Sequence, residues 1–235
     1  MIRDYLLYRF KSVTEHGVHS PFVFELVTNV IYNQTDYYSF KKIENVREQL
    51  LDSKIRQIAR QETLSSKYTQ LLFRLVNHFQ PAQIIELGTS LGISTAYMAS
   101  ANSKIPVITV EDRPEISEIA KKNFEQLELK NIVQLSGDAK TLLQSILEKK
   151  QELNFIVFNE KHCNEKTLNY FGQCLEKGNE SDLFVFTDIH SSTEMRDAWK
   201  EIKNNNKVRV TIDLFFMGLV FFRTGQVKQH FIIKF

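Results

Sequence analysis

Gln83-Ile84-Ile85-Glu86-Leu87-Gly88-Thr89-Ser90-Leu91-Gly92 is the stretch on which the reading of this chain turns. A short apolar run, 83–87, ends in a turn with two glycines, and a helical pattern begins near Ser94. Glycine lets a backbone turn sharply and approach a ligand closely. In open α/β sheets, ligands bind outside the carboxyl ends of strands, where such turns lie.

Downstream, the pattern repeats. Apolar runs at 107–110, 132–135, 155–158 and 183–186 alternate with amphipathic stretches that begin near Pro114, Ala139, Glu165 and Thr193. That alternation predicts a doubly wound, mostly parallel sheet with helices on both faces. The runs 208–216 and 219–222 are separated only by Met217-Gly218. A crossover between parallel strands needs a dozen or more residues, so these two runs must pair antiparallel. The sheet is therefore expected to have seven strands and to end in a hairpin, with 231–235 a candidate to extend the edge.

Upstream, the first ~65 residues read as helices. Ser20-Pro21 is a good start signal, because Ser can cap and Pro needs no N–H in the first turn. Phe22, Leu26, Val27, Val30 and Ile31 recur at helical spacing. A second helix carries Ile43, Val46, Leu50, Ile55 and Ile58, and a third runs from Leu71 to a stop before Pro81. The expected division is 1–66 as a helical extension or lid and 67–235 as the ligand-binding domain.

Composition narrows the function. A chain of 235 residues can hold one sizeable core plus an extension. The net charge of +2 is too weak to imply nucleic acid, and the pairs Lys41-Lys42, Lys121-Lys122 and Lys149-Lys150 read as solvated helix faces. Cys163 and Cys174 lack a CxxC spacing and fit a reducing cytosol. Charges interrupt Met1-Ile2-Arg3-Asp4-Tyr5, unlike a signal peptide, and the longest apolar run, 214–222, is too short to cross a bilayer. A cytoplasmic protein is expected, with no membrane and no nucleic-acid partner. The eighteen Phe and eight Tyr suit a filled interior or an aromatic pocket.

The turn could host a dinucleotide or S-adenosylmethionine, and three features favour the second. Glu86 would face a cationic ligand group and repel a pyrophosphate. The GxGxxG phosphate fingerprint is absent, with Ser90 and Ile93 at its second and third glycine positions. The terminal hairpin is foreign to a plain dinucleotide fold. The order Glu86-x-Gly88-x-x-x-Gly92, then Val110-Glu111, then Gly137-Asp138-Ala139, then the hairpin, resembles the class I S-adenosylmethionine-dependent methyltransferases over roughly 67–235. Gly88-Thr89-Ser90-Leu91-Gly92 is more similar to the O-methyltransferase branch. His19-Ser20-Pro21-Phe22 and Asp188-Ile189-His190 also resemble a bacterial subgroup of that superfamily.

The resemblance implies that Glu86, Gly88, Thr89, Ser90 and Gly92 hold the methionine part, that Glu111 accepts the ribose hydroxyls, and that Asp138 and Ala139 reach the adenine. Asn159 completes the cofactor-binding set. Taken alone, Glu111 could be a surface or helix-capping carboxylate, and Asp138 could cap the next helix.

Candidates for the chemistry follow the fourth and fifth strands. Metal-dependent O-methyltransferases place an acid and an Asp-Asn pair there; Asn159, Asp188 and Ile189 supply one carboxylate, a poor magnesium site. No metal is expected. His190 is the best general base, because an ordinary imidazole titrates near neutrality, and Asp188 could orient it or bind substrate. The alternative is that Asp188 caps the helix at Thr193 and His190 faces solvent. His162 is a weaker candidate, and His16 and His19 could belong to a lid or to a docking motif. Met98, Met195 and Met217 read as core fillers.

Asn159-Glu160-Lys161-His162 lacks the Pro-Pro-aromatic motif of nucleic-acid amino-methylating enzymes, and neither cysteine follows a proline as in cytosine-carbon enzymes. A methyltransferase acting on O or N of a small molecule leads. A non-catalytic binding or scaffold protein is the alternative. Aminopropyl transfer is disfavoured by Asn159 and Lys161, which replace the acidic pocket it needs. Any homodimer is expected to form through the N-terminal helices.

Overall fold

The computed structural model describes residues 2–148, 155–159 and 164–235. It is an α/β fold with an eight-stranded mixed sheet, most of whose described pairings are parallel. The chain forms two compact units, Asn33–Leu142 and Met1–Tyr32 with Leu143–Phe235.

In the unit Asn33–Leu142, β1 (Ile84–Leu87), β2 (Val107–Glu111) and β3 (Ile132–Ser136) run parallel in the order β3-β2-β1. Helices α3 (Tyr38–Leu51), α4 (Arg56–Glu62), α5 (Ser66–Phe79), α6 (Ile93–Ala101) and α7 (Pro114–Gln126) accompany them. Phe40, Ile43, Val46, Phe73, Ala96, Tyr97 and Ile116 form one buried core cluster. The helix expected to carry Ile43 through Ile58 is broken into α3 and α4. Ser53 causes the break: its hydroxyl donates to the Leu50 carbonyl at 2.7 Å and accepts from the Ile55 N–H at 3.3 Å. Such local bonds offer the backbone an alternative to the helix. A part-buried network ties these helices together, with Glu44 accepting from Arg47, Ser66 and Tyr97.

The other unit holds α1 (Ile2–Lys11), α2 (Pro21–Leu26) continued by a π-helical turn at Val27–Ile31, and the C-terminal part of the sheet. The start signal reads as expected: Ser20 accepts from the Val23 N–H and Pro21 opens α2. Helix α8 (Ala139–Glu148) spans the division between the units. Strands β4 (Phe155–Phe158), β5 (Leu183–Thr187), β6 (Val210–Asp213), β7 (Met217–Phe221) and β8 (Gln229–Ile232) follow the order β4-β5-β7-β6-β8, with α9 (Asn164–Lys177) and α10 (Thr193–Asn204) between them. β7 runs antiparallel to both β5 and β6.

Two expectations about the C-terminus are corrected. The hairpin turn is Leu214-Phe215-Phe216, not Met217-Gly218, which lie inside β7. Asp213 Oδ1 accepts from the Phe215 N–H at 2.9 Å and Phe215 takes a positive φ of 70°, which fixes the turn early. Gly218 is needed in the strand because a Cβ there would lie 2.6 Å from the Trp199 ring. The sheet has eight strands, not seven, because β8 pairs parallel with the outer side of β6. The chain ends are strapped together beside it: Val13 bridges Ile233, and the Tyr8 hydroxyl donates to the Ile233 carbonyl. No helix among the described residues is long and apolar enough to cross a membrane.

Candidate functional site

The glycine turn lies at the carboxyl end of β1. Gly88 and Thr89 both donate their N–H to the Val110 carbonyl at 3.0 Å, which binds the turn to the neighbouring strand. Gly88, Ser90 and Gly92 all take positive φ, at 97°, 48° and 80°. For Ser90 that conformation is strained, so its surroundings must hold it. Gly92 caps α6.

Glu86 is fully buried. One carboxylate oxygen accepts from Ser94 Oγ at 2.6 Å; the other accepts from Thr109 Oγ1 at 2.8 Å and from Thr95 Oγ1. Thr109 Oγ1 lies 2.6 Å from Thr89 Oγ1. Burial pushes the Glu86 carboxyl up to about 7, against the pull of the three hydroxyls. In this structure Glu86 therefore binds strand, turn and helix to one another.

Glu111, at the carboxyl end of β2, is buried, and Oε2 accepts from the Ser90 N–H at 2.7 Å. Oε1 accepts from Arg113 Nε at 2.8 Å. Glu62, the last residue of α4, takes both terminal nitrogens of Arg113 at 2.7 Å each. These carboxylates, Glu62 first and then Glu111, raise the Arg113 guanidinium above its ordinary range. Sequence reading missed Glu62 and Arg113. Asp138 caps α8, its Oδ2 accepting from the Thr141 N–H at 2.9 Å, while Ala139 is buried beside it.

The candidates of the other unit form a second group. His190 Nε2 lies 2.8 Å from Asp213 Oδ2. The same oxygen receives Trp199 Nε1 at 3.3 Å. The imidazole stacks on Phe215, with centroids 5.0 Å apart and 16° between planes, and Tyr5 and Tyr8 pack on that ring. His190 is thus not a solvent-facing loop residue, and its described carboxylate partner is Asp213, not Asp188. Asp188 takes a positive φ of 55° and donates its N–H to the Phe216 carbonyl at 2.7 Å. Ser192, not Asp188, caps α10. Asn159 is buried, and its Oδ1 accepts from Thr187 Oγ1 at 3.1 Å. Ile189 is buried. His162, Glu160, Lys161 and Cys163 lie outside the described residues. His16 is exposed beside Glu15, and the three singled-out methionines, Met98, Met195 and Met217, are buried.

Residues 80–167 match the family model described as "Putative methyltransferase". No curated protein sequence matches the chain. Among solved structures, the O-methyltransferase from Bacillus cereus in complex with S-adenosylhomocysteine matches with a TM-score of 0.62 at 18% identity, over 81% of this chain and 93% of that one. The O-methyltransferase TomG from Streptomyces achromogenes, involved in tomaymycin synthesis and bound to S-adenosylmethionine, matches with a TM-score of 0.62 at 15% identity, over 86% and 95%. This chain has the fold of the class I methyltransferases, and its residues 80–167 match a methyltransferase family model. A third such methyltransferase, the S-adenosylhomocysteine-bound enzyme PaMTH1 of Podospora anserina, has a TM-score of 0.68 at 9% identity, over 88% and 97%. All three likenesses span most of this chain's length.

Proposed function

We propose that the protein binds S-adenosylmethionine at the turn from Gly88 to Gly92 and transfers its methyl group to O or N of a small molecule, without a metal, in the cytoplasm. The observation that carries this reading is the bond from the Ser90 N–H to Glu111, which joins the glycine turn to the carboxylate ending the next strand. The residues fit such a ligand. Glu111 Oε2 has one described donor, and a carboxylate oxygen has two lone pairs, so it keeps acceptor capacity for a ribose hydroxyl. Glu62 and Glu111 suit a sulfonium cation and disfavour a pyrophosphate. On this reading the turn backbone holds the methionine part, Asp138 and Ala139 serve the adenine, and Asn159 completes the set.

Bound S-adenosylmethionine supplies an electrophilic methyl group; the protein aligns the acceptor and manages its proton. Because Asp213 can only accept at Oδ2, Nε2 of His190 carries the hydrogen of that bond. Nδ1 is then the nitrogen left to take a proton from the acceptor. Asp213 holds the ring, and Asp188 serves to bind the acceptor. Asn159 and the buried Ile189 leave Asp188 as the one carboxylate among the three positions a metal-dependent relative would use. We assign residues 1–66 to a helical extension or lid and residues 67–235 to the cofactor-binding domain.

Thermal unfolding with S-adenosylmethionine and S-adenosylhomocysteine tests the reading. A ligand at a hundredfold its dissociation constant stabilises by about 2.7 kcal/mol, worth roughly 5–10 °C in a chain of this size. Gly88→Arg and Glu111→Ala should abolish the shift; undiminished binding in both variants refutes the site. The second reading, a non-catalytic binding protein, is favoured by Asn159, a buried amide engaged by Thr187. Methylated product from any metabolite pool would reject it.

A further inference from the structure

Glu62 belongs to none of the motifs that mark the cofactor turn, yet it is tied to that turn twice. Its carboxylate holds Arg113 in a bidentate fork, and its Oε2 accepts from Ser90 Oγ at 3.0 Å. Arg113 reaches Glu111 at 2.8 Å, and Glu111 returns to the Ser90 N–H at 2.7 Å. The four residues close a ring around Ser90, whose positive φ of 48° is the strained point of the turn. Opening the ring at Glu62 releases Ser90 Oγ and the outer face of Arg113 together.

We propose that Glu62 is a positioning residue of the cofactor site: a latch by which α4 holds Arg113 against Glu111, keeps Ser90 in its left-handed conformation, and slows release of the bound nucleoside. This rests on the cofactor reading above. An isolated exposed ion pair would carry little weight, and Arg113 and Glu62 are 40% and 23% exposed. Two features raise this pair above that level. The fork fixes the guanidinium plane. The pair also belongs to a closed network with a strained backbone residue, in which each bond constrains the others. The ring sets two carboxylates against one guanidinium, and its net negative charge suits a cationic cofactor.

The test uses the full chain and S-adenosylhomocysteine, with affinity by calorimetry and release by stopped-flow competition. Glu62→Gln keeps the shape and removes the charge. Affinity should fall and release should accelerate by about 3- to 10-fold, the range for a charge-assisted bond discounted for exposure. In a cycle with Arg113→Met, the double variant should lose less than the product of the two single losses, because both open one ring. Without ligand, trypsin should cut after Arg56 and Arg60 faster in Glu62→Gln than in the wild type. Wild-type affinity and release in Glu62→Gln overturn the latch, as do fully multiplicative losses. A wild-type chain that binds no S-adenosylhomocysteine overturns the cofactor reading instead. The trypsin comparison then still decides whether Glu62 holds α4, and equal cutting rates say that it does not.

Discussion

Replacing Gly92 by Ala should destabilise the protein and weaken cofactor binding, and the structure allows the size to be worked out. Gly92 takes a φ of 80°, and an added Cβ would lie 2.5 Å from Cε1 and 2.7 Å from Cζ of Phe124, and 3.2 Å from Cβ of Ala120. Phe124 and Ala120 are both buried on α7, so the ring has little room to retreat. A non-glycine residue in the left-handed region costs about 1–2 kcal/mol, and overpacking a filled site about 1–3 kcal/mol. The sum, about 2–5 kcal/mol, corresponds to a fall of roughly 5–15 °C in the melting midpoint of a chain of this size. Circular dichroism melts would measure it. Gly172→Ala is the control: Gly172 lies inside α9, nothing sits within 4 Å of an added Cβ, and alanine there should stabilise by about 0.5–1 kcal/mol. A Gly92→Ala chain that melts within about 2 °C of the wild type would refute the reasoning, since each kcal/mol is worth about that much.

Glu86 makes a prediction about pH. Its folded-state value, about 7, lies above the ordinary carboxyl value of 4.5, so between these limits the folded state binds more protons than the unfolded one. This group's contribution is therefore fully present below about pH 4.5 and is lost as pH rises through 7, by on the order of 3 kcal/mol in all. Glu86→Gln should remove that slope from the melting midpoint between pH 5 and 8, and an unchanged slope would count against the burial argument. His190 should show a protonated Nε2 in nitrogen-15 spectra, retained in Asp188→Asn and disturbed in Asp213→Asn; the opposite pattern would return Asp188 to the role of partner. Helix α1 exposes Ile2, Leu6 and Phe10 at 80%, 63% and 89% along one stripe, so we expect sedimentation to find a dimer that Leu6→Glu with Phe10→Glu dissociates. A monomeric wild-type chain would remove that expectation.

The alternating layers were legible because strand and helix differ in period, and each apolar run from β1 to β5 was bounded by turn or helix signals. The glycine turn was legible because its residues are contiguous. What escaped was set by single side chains. Ser53 breaks a helix whose apolar spacing continues across the break. Asp213 pulls the hairpin turn ahead of Gly218, the residue that composition favours, and Trp199 then needs that glycine in the strand. Asp213 also pairs with a histidine 23 positions away, and Glu62 with an arginine 51 positions away. Sequence patterns carry neighbours at fixed spacing; they carry no signal for partners that only the fold brings together.

The carboxylates show why a motif position alone does not define a role. Glu86 and Glu111 sit near the carboxyl ends of adjacent parallel strands, and both are buried. Glu86 is surrounded by hydroxyls of its own chain, and burial raises it toward neutrality, so its charge is partly withdrawn at pH 7. Glu111 faces Arg113, which compensates its charge and leaves Oε2 with spare acceptor capacity. The first environment suits a brace and the second a ligand contact. Glu86→Gln should therefore spare cofactor affinity far more than Glu111→Gln, although the motif assigns both residues to the same site. Equal losses in calorimetric titration with S-adenosylhomocysteine would mean that Glu86 meets the ligand directly, and that the hydroxyl cage around it opens on binding.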